Sequence, residues 1–217
     1  MKNTRHATRF VALLLTAALV PLGARAADEA EEILTKVKHK YDSIRDAEMK
    51  FTQHVRMAVA GVEQRVEGTL QLKKENKYRV EMRDQTIVTD GETVWSYSDV
   101  TKQVIIDRFS VNERTFSPER LLTAAPSDFE AVVLGRERLG KIPTVVLKLT
   151  PRQDNSLIRS LKIWVGENDW LIRKVEMEEI GRKLTTYTVS DLEIDPGLPD
   201  ARFTFEVPEG AEIVDLR

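Results

Sequence analysis

From residue 48 onward the chain repeats one pattern, the strict alternation of apolar and polar side chains. Over 48–57, Met49, Phe51, Val55 and Met57 share one side with Gln53, while Lys50, Thr52, His54 and Arg56 take the other. Over 62–73, Val62, Val66, Leu70 and Leu72 alternate with charged and amide residues, and over 77–83 Tyr78, Val80 and Met82 alternate with Lys77, Arg79, Glu81 and Arg83. A period of two puts an apolar and a wet face on one sheet, as in antiparallel meanders. Turn signals at Ala60-Gly61, Glu75-Asn76 and Asp90-Gly91 punctuate the runs. The same pattern predicts strands near 93–97, 102–107, 131–138, 144–149, 157–165, 171–177 and 184–192. Asp195-Pro196-Gly197 forms a turn, and Phe203-Thr204-Phe205 a short last strand. A meander of about eleven strands must curl or close to hide its apolar face.

Two segments depart from this period. Over 28–46, Ile33, Leu34, Val37, Tyr41 and Ile44 recur at helical spacing, and the acids Asp28, Glu29, Glu31 and Glu32 suit the positive end of the helix dipole. Ser117-Pro118 supplies an N-cap and a first helical residue for a short helix with Leu121 and Leu122 on its apolar face. No linker or charge block marks a domain boundary, so residues 27–217 are expected to form a single, mainly β domain with helical cover.

The first 26 residues have a different character. Lys2, Arg5 and Arg9 precede an apolar run over 10–22, and Ala24-Arg25-Ala26 places small residues where a signal peptidase reads. A spanning helix needs about 20 apolar residues, and this run is shorter and broken by Pro21. Residues 1–26 are therefore expected to be a cleavable signal peptide. The chain has no cysteine, so no disulfide staples the fold and no thiol can receive a lipid anchor. A soluble exported protein is the expectation. The segment after residue 26 holds 29 basic against 35 acidic residues, a net −6 that argues against nucleic acid and against anchoring to anionic lipid by charge.

Signals for chemistry are absent. His39 and His54 lack metal-ligand spacing, and neither a G-x-S-x-G elbow nor an H-E-x-x-H pair occurs. The stretch 135–141 matches the opening of a phosphate-binding loop, but Ile142 and Pro143 stand where a hydroxyl and a helix are needed. A hairpin turn is the expectation there. Neither a cofactor nor a metal is implied, and an enzyme is disfavoured for want of a nucleophile–base pair. The large residues of the alternating runs are candidates for the sheet's inner face: Phe51, Leu70, Leu72, Tyr78, Val80, Met82, Trp95, Tyr97 and Ile106. Periodicity alone leaves open whether they fill a core or line a ligand cavity.

Several motifs occur in an order that resembles one family. Asp90-Gly91, Trp95, Tyr97 and Gln103 resemble the D-G-x-x-x-W-x-Y-x5-Q signature of the periplasmic outer-membrane lipoprotein carriers, the LolA family. Phe51-Thr52-Gln53 is similar to its F-x-Q strand, and Gly68-Thr69-Leu70-Gln71-Leu72-Lys73-Lys74 to its G-x-L-x-x-K-[RK] strand. Phe203-Thr204-Phe205 with Pro208 and Gly210 resembles its closing F-x-F-x-x-P-x-G. The resemblance implies an unclosed antiparallel β-barrel under a helical lid, with an apolar cavity for the acyl chains of lipoproteins. Its implied partners are acylated lipoproteins, an inner-membrane release transporter and an outer-membrane acceptor, for a monomeric periplasmic shuttle. Leu121 and Leu122 would lie under the lid. Lys74 stands where the family often has the arginine that holds the lid through helix-end carbonyls, and it donates without the planar fork. Arg79 and Arg120 are alternative donors, and Gln71 and Val80 occupy positions that are often tryptophan. Tyr78 is expected to be the best contact for cargo, with Tyr78→Glu blocking transfer and leaving the fold intact. The rival readings are a carrier of another amphiphile such as a glycolipid, and a lipid sensor, which normally carries a second domain beyond the point where this chain ends.

Overall fold

The computed structural model describes residues 22–57, 61–110, 129–153 and 156–217. Helix α1 (Leu22–Ser43) leads into β1 (Asp46–Met57), β2 (Val62–Lys73), β3 (Lys77–Met82), β4 (Gln85–Asp90), β5 (Thr93–Ser98) and β6 (Gln103–Arg108). The second half runs through β7 (Phe129–Leu139), β8 (Ile142–Pro151), β9 (Ile158–Gly166), β10 (Ile172–Glu179) and β11 (Lys183–Ile194) to a 3-10 turn (Asp200–Phe203) and β12 (Glu212–Asp215). The twelve strands make one sheet in the order β12-β6-β5-β4-β3-β2-β1-β11-β10-β9-β8-β7. Neighbours are antiparallel except β12, which runs parallel to β6. The end strands β12 and β7 do not pair, so the sheet stays unclosed.

The expected meander is present, with four differences. The helix begins upstream of residue 28 and stops before 46. Strand β4 was not anticipated, because Ile87 and Val88 are adjacent and break the alternation. Phe203 ends a 3-10 turn instead of starting a strand, and the last strand lies beyond Pro208. Gly140 and Lys141 form the β7–β8 hairpin turn, as expected of the decoy loop. The expected helix with Leu121 and Leu122 lies outside the described residues, as does most of the leader.

Cross-strand partners share a face, so the ladders trace the inner surface of the sheet. One row runs Leu147, Ile163, Val175, Tyr187, Gln53 and Val66. Helix α1 lays Ala30, Ile33, Leu34 and Val37 on the β8–β10 end of this surface and makes a solid core there. Arg136 ties the helix down through Glu29 at 2.6 Å and holds Glu167 at 2.7 Å. Over β1–β4 a second cluster gathers Ile44, Met49, Leu70, Tyr78 and Val80. Tyr41 packs against both clusters. Its hydroxyl accepts the Ile172 amide at 3.1 Å, and burial pushes its ionisation well above the ordinary tyrosine range.

The outer face of β2–β6 is covered as well, by the chain after β11. Asp195 Oδ1 accepts the amides of Arg45 and Asp46, at 2.7 and 3.3 Å. The buried Asp46 returns the connection by accepting the amides of Gly197 and Leu198, at 2.8 and 3.2 Å. Leu198 and Phe203 are buried, and the 3-10 turn packs on β3 and β4. Lys73 Nζ donates to the Leu198 carbonyl at 2.7 Å. Lys73 and Lys77 both bind the Asp200 carboxylate, at 2.5 and 3.0 Å.

This clamp has a pH dependence with a definite sign. The bond from Lys73 and then that from Lys77 hold the Asp200 carboxyl below its ordinary 3.8. Asp200, with Glu75, raises Lys77 above 10.5. A depressed acid stabilises above its unfolded pKa and ceases to as pH falls through the folded value. A raised base stabilises below its unfolded pKa and ceases to as pH rises through the folded one. The pair therefore supports the fold between about pH 4 and 10. Asp200→Asn should flatten the acid limb of a melting-temperature profile relative to wild type, and an unchanged profile would show that the clamp carries no such stability.

Candidate binding cavity

The inner surface of β1–β4 is not filled by α1. It holds a cavity of about 820 Å³. Met49, Leu70, Tyr78, Val80 and Ile87 line its deep end, with Phe51 and Met82 above them. Ile172, Val175, Tyr187 and Val189 form the opposite wall, and the exposed Gln64, Arg65, Arg83, Asp84 and Gln85 make a polar rim. A smaller hollow of about 300 Å³ shares Met49 and Ile172 with it and adds Ile44, Ala47, Leu72, Leu171 and Leu192. Among the described residues no cluster of acids and histidines could hold a metal. His54 pairs with Glu63 at 2.5 Å, and both lie on the outer face of β1 and β2.

The sequence signals around Phe51 now have a physical cause. Phe51 and Gln53 both face inward, two residues apart on β1. Gly68 stands opposite Phe51 on β2. A Cβ at Gly68 would lie 2.7 Å from Phe51 Cζ and 2.5 Å from the Glu81 carbonyl oxygen. The ring occupies the space that any side chain would take. Gly68→Ala should cost about 1–3 kcal/mol through overpacking and drive the Phe51 ring into the cavity. Urea unfolding checks the first effect and reduced uptake of an apolar dye the second.

Six of the nine candidate lining residues come together here. Phe51, Leu70, Tyr78, Val80 and Met82 line the main cavity, and Leu72 lines the adjoining hollow. Trp95, Tyr97 and Ile106 do not join them. The ladders carry Tyr78 through Thr89 to Val94, and Val80 through Ile87 to Ser96 and Ile105. Trp95 pairs with Val88 and Ile106, and Tyr97 with Val104, all on the outer face. Tyr97 meets Phe205 there, with ring centroids 6.2 Å apart. The signature that contains these aromatics shapes the covered outer face. Its Asp90 Oδ1 accepts the amides of Glu92 and Thr93, at 2.9 and 2.8 Å. Gly91 has φ +99° and leaves no room for a Cβ beside the Glu75 carbonyl. Gln103 Nε2 reaches Glu212 on β12 at 3.4 Å.

The helix-end donor is Lys74. Its Nζ donates to the Asp42 carbonyl at 3.0 Å, in the last turn of α1, where cations suit the dipole. Arg79 is engaged elsewhere. It bonds Glu81 at 2.6 Å and reaches the carbonyls of Arg202 and Thr204 in the C-terminal cover. Arg120, Leu121 and Leu122 lie outside the described residues. Sequence reasoning missed Tyr187 and Val189 as wall residues. Their alternation with Thr186 and Thr188 was visible, but not which strand would lie beside β1.

Residues 42–206 match the family model described as outer membrane lipoprotein carrier protein LolA. A curated outer-membrane lipoprotein carrier protein from Chromohalobacter salexigens is 27% identical over 198 residues, which cover 90% of this chain and 91% of that one. One from Histophilus somni is 28% identical over 210 residues, 95% of each chain. Among solved structures, an uncharacterised conserved protein from Thermus thermophilus superposes with a TM-score of 0.58. The superposition covers 85% of this chain and 98% of that one at 15% identity, a likeness of fold.

Proposed function

The chain belongs to the LolA family of outer membrane lipoprotein carrier proteins, and we propose that it carries acylated lipoproteins through the periplasm with their acyl chains held in the cavity of β1–β4. The observation that carries this reading is the apolar deep end of a cavity of about 820 Å³, bounded by Met49, Leu70, Tyr78, Val80 and Ile87. Phe51, Met82 and Leu72 extend the apolar lining. Cargo arrives from an inner-membrane release transporter and leaves to an outer-membrane acceptor. Residues 1–26 serve as the cleaved export signal, and the carrier acts as a monomer.

The work is binding and release, with no covalent step. Each buried methylene contributes about 0.8 kcal/mol, so ten of them give roughly 8 kcal/mol. A shuttle must also let go. The Lys74 bond to the end of α1 is a contact that cargo has to displace, and its cost lowers the net affinity.

Native mass spectrometry of the protein taken from its own periplasm tests this. A triacylated lipoprotein bound one to one is the expected result. A bound free glycolipid in its place would overturn it and make the protein a carrier of another amphiphile.

A further inference from the structure

The inner surface changes character along β1. Met49 lies at the apolar deep end, Gln53 two pleats further on, and Gln64 and Arg65 at the rim. Gln53 lies four strand steps from Met49, about 13 Å. At the level of Gln53 the apolar lining is interrupted by a polar pair. Gln53 Nε2 donates to the Tyr187 hydroxyl at 2.8 Å, and both side chains line the cavity. Burial raises the ionisation of the Tyr187 hydroxyl above its ordinary range. The bond to Tyr187 uses one of the hydrogen-bonding positions of the Gln53 amide, and its side chain makes no other bond among the described residues. The remaining hydrogen-bonding positions of the Gln53 amide open onto the cavity, where a bound group can meet them.

We infer that Gln53 and Tyr187 form a carbonyl-binding step that reads the ester linkage of an acylated cargo. The inference rests on the carrier reading and deepens it. An acylated lipopeptide has three zones: hydrocarbon chains, ester carbonyls, then a peptide. The cavity has the same three in the same order: the apolar deep end, the Gln53–Tyr187 pair, and the charged rim. With chains in the deep end, an ester carbonyl lies beside the Gln53 amide, which its bond to Tyr187 holds in place. A plain hydrocarbon would leave that amide unmet. The step therefore fixes how deep the cargo sits and favours acyl esters over alkyl chains. Phospholipids share the ester, so the linkage is set by this pair and the headgroup by the rim.

Three probes displace an apolar dye from the purified full chain: a dioctanoylglyceryl-cysteine peptide, its dioctyl ether counterpart, and dioctanoyl phosphatidylglycerol. Wild type should bind the ester peptide about five- to tenfold more tightly than the ether, as expected for one or two hydrogen bonds. Gln53→Met and Tyr187→Phe should each lose most of that preference while keeping ether affinity, which also reports that the cavity is folded. Equal binding of ester and ether by wild type overturns the inference and leaves the carrier reading standing. So does an ester preference that survives both substitutions. Binding of neither peptide overturns both. Phosphatidylglycerol bound more tightly than the ester peptide upholds the carbonyl step but replaces the lipoprotein as cargo.

Discussion

Phe203→Ala will cost about 3–5 kcal/mol of stability without touching the cavity. Phe203 is 1% exposed and ends the 3-10 turn that lies on β3 and β4. Its removal leaves a void between that turn and an outer face where Val88 and Val104 are fully buried. The polar contacts of the cover, Lys73 and Lys77 on Asp200 and Arg79 on the Arg202 carbonyl, meet at the solvent edge through the exposed Asp200 and contribute little by comparison. Urea unfolding should show the midpoint shift. If the loss is under about 1 kcal/mol, the C-terminal segment covers the sheet without stabilising it. Apolar dye uptake by the folded fraction should be unchanged, because the substitution lies on the opposite side of the sheet.

Tyr78→Glu will abolish binding of an acylated peptide and, contrary to the sequence expectation, will also destabilise the fold. Tyr78 is 6% exposed, and its ring meets Phe109 edge-on at 6.4 Å between centroids. A carboxylate there has apolar neighbours in Met49, Leu70 and Val80. It must either ionise at a cost of about 3 kcal/mol or stay protonated. Either way the deep end becomes polar where hydrocarbon should rest. Tyr78→Phe keeps the ring and should bind almost as wild type. Dye displacement well below the variant's melting temperature separates lost binding from lost fold. Retained affinity in a folded Tyr78→Glu would remove this residue from the proposed site.

Most of the architecture was legible because the chain alternates so strictly. Val62–Lys73 was bounded correctly from pattern alone, since one face was apolar and its ends carried turn residues. Strand β4 was not legible. Its QTIVTD places apolar residues on both faces, as befits a strand with a cavity on one side and a covering segment on the other. The cover on the outer face misdirected Trp95, Tyr97 and Ile106. Periodicity says which residues share a face, and size suggests that the large ones point inward. In β6 the sheltered side is the outer one, with Val104 and Ile106 buried and Ile105 exposed, so size pointed the wrong way. The ladder through β4 was needed to show that Val94 and Ser96 are the inward residues. The Gln53–Tyr187 pair joins strands far apart in sequence, so no local pattern could reveal it.

The strand order also sets a schedule. Within β1 to β6, and within β7 to β11, each strand pairs with its sequence neighbours, so each half can form from local hairpins. The ladder of β1 with β11 sews the halves together in the middle of the sheet, and β12 later adds to β6 at its edge. As a chain emerges N-terminus first, β1 appears early and its central partner nearly last. Until then β1 presents an unpaired edge along 12 residues, and the apolar stripe of α1 has none of the β7–β10 surface it will cover. The interval between emergence and that final seam is when this chain is most exposed to aggregation, and a holding chaperone would have to protect the strand that ends up deepest in the finished sheet.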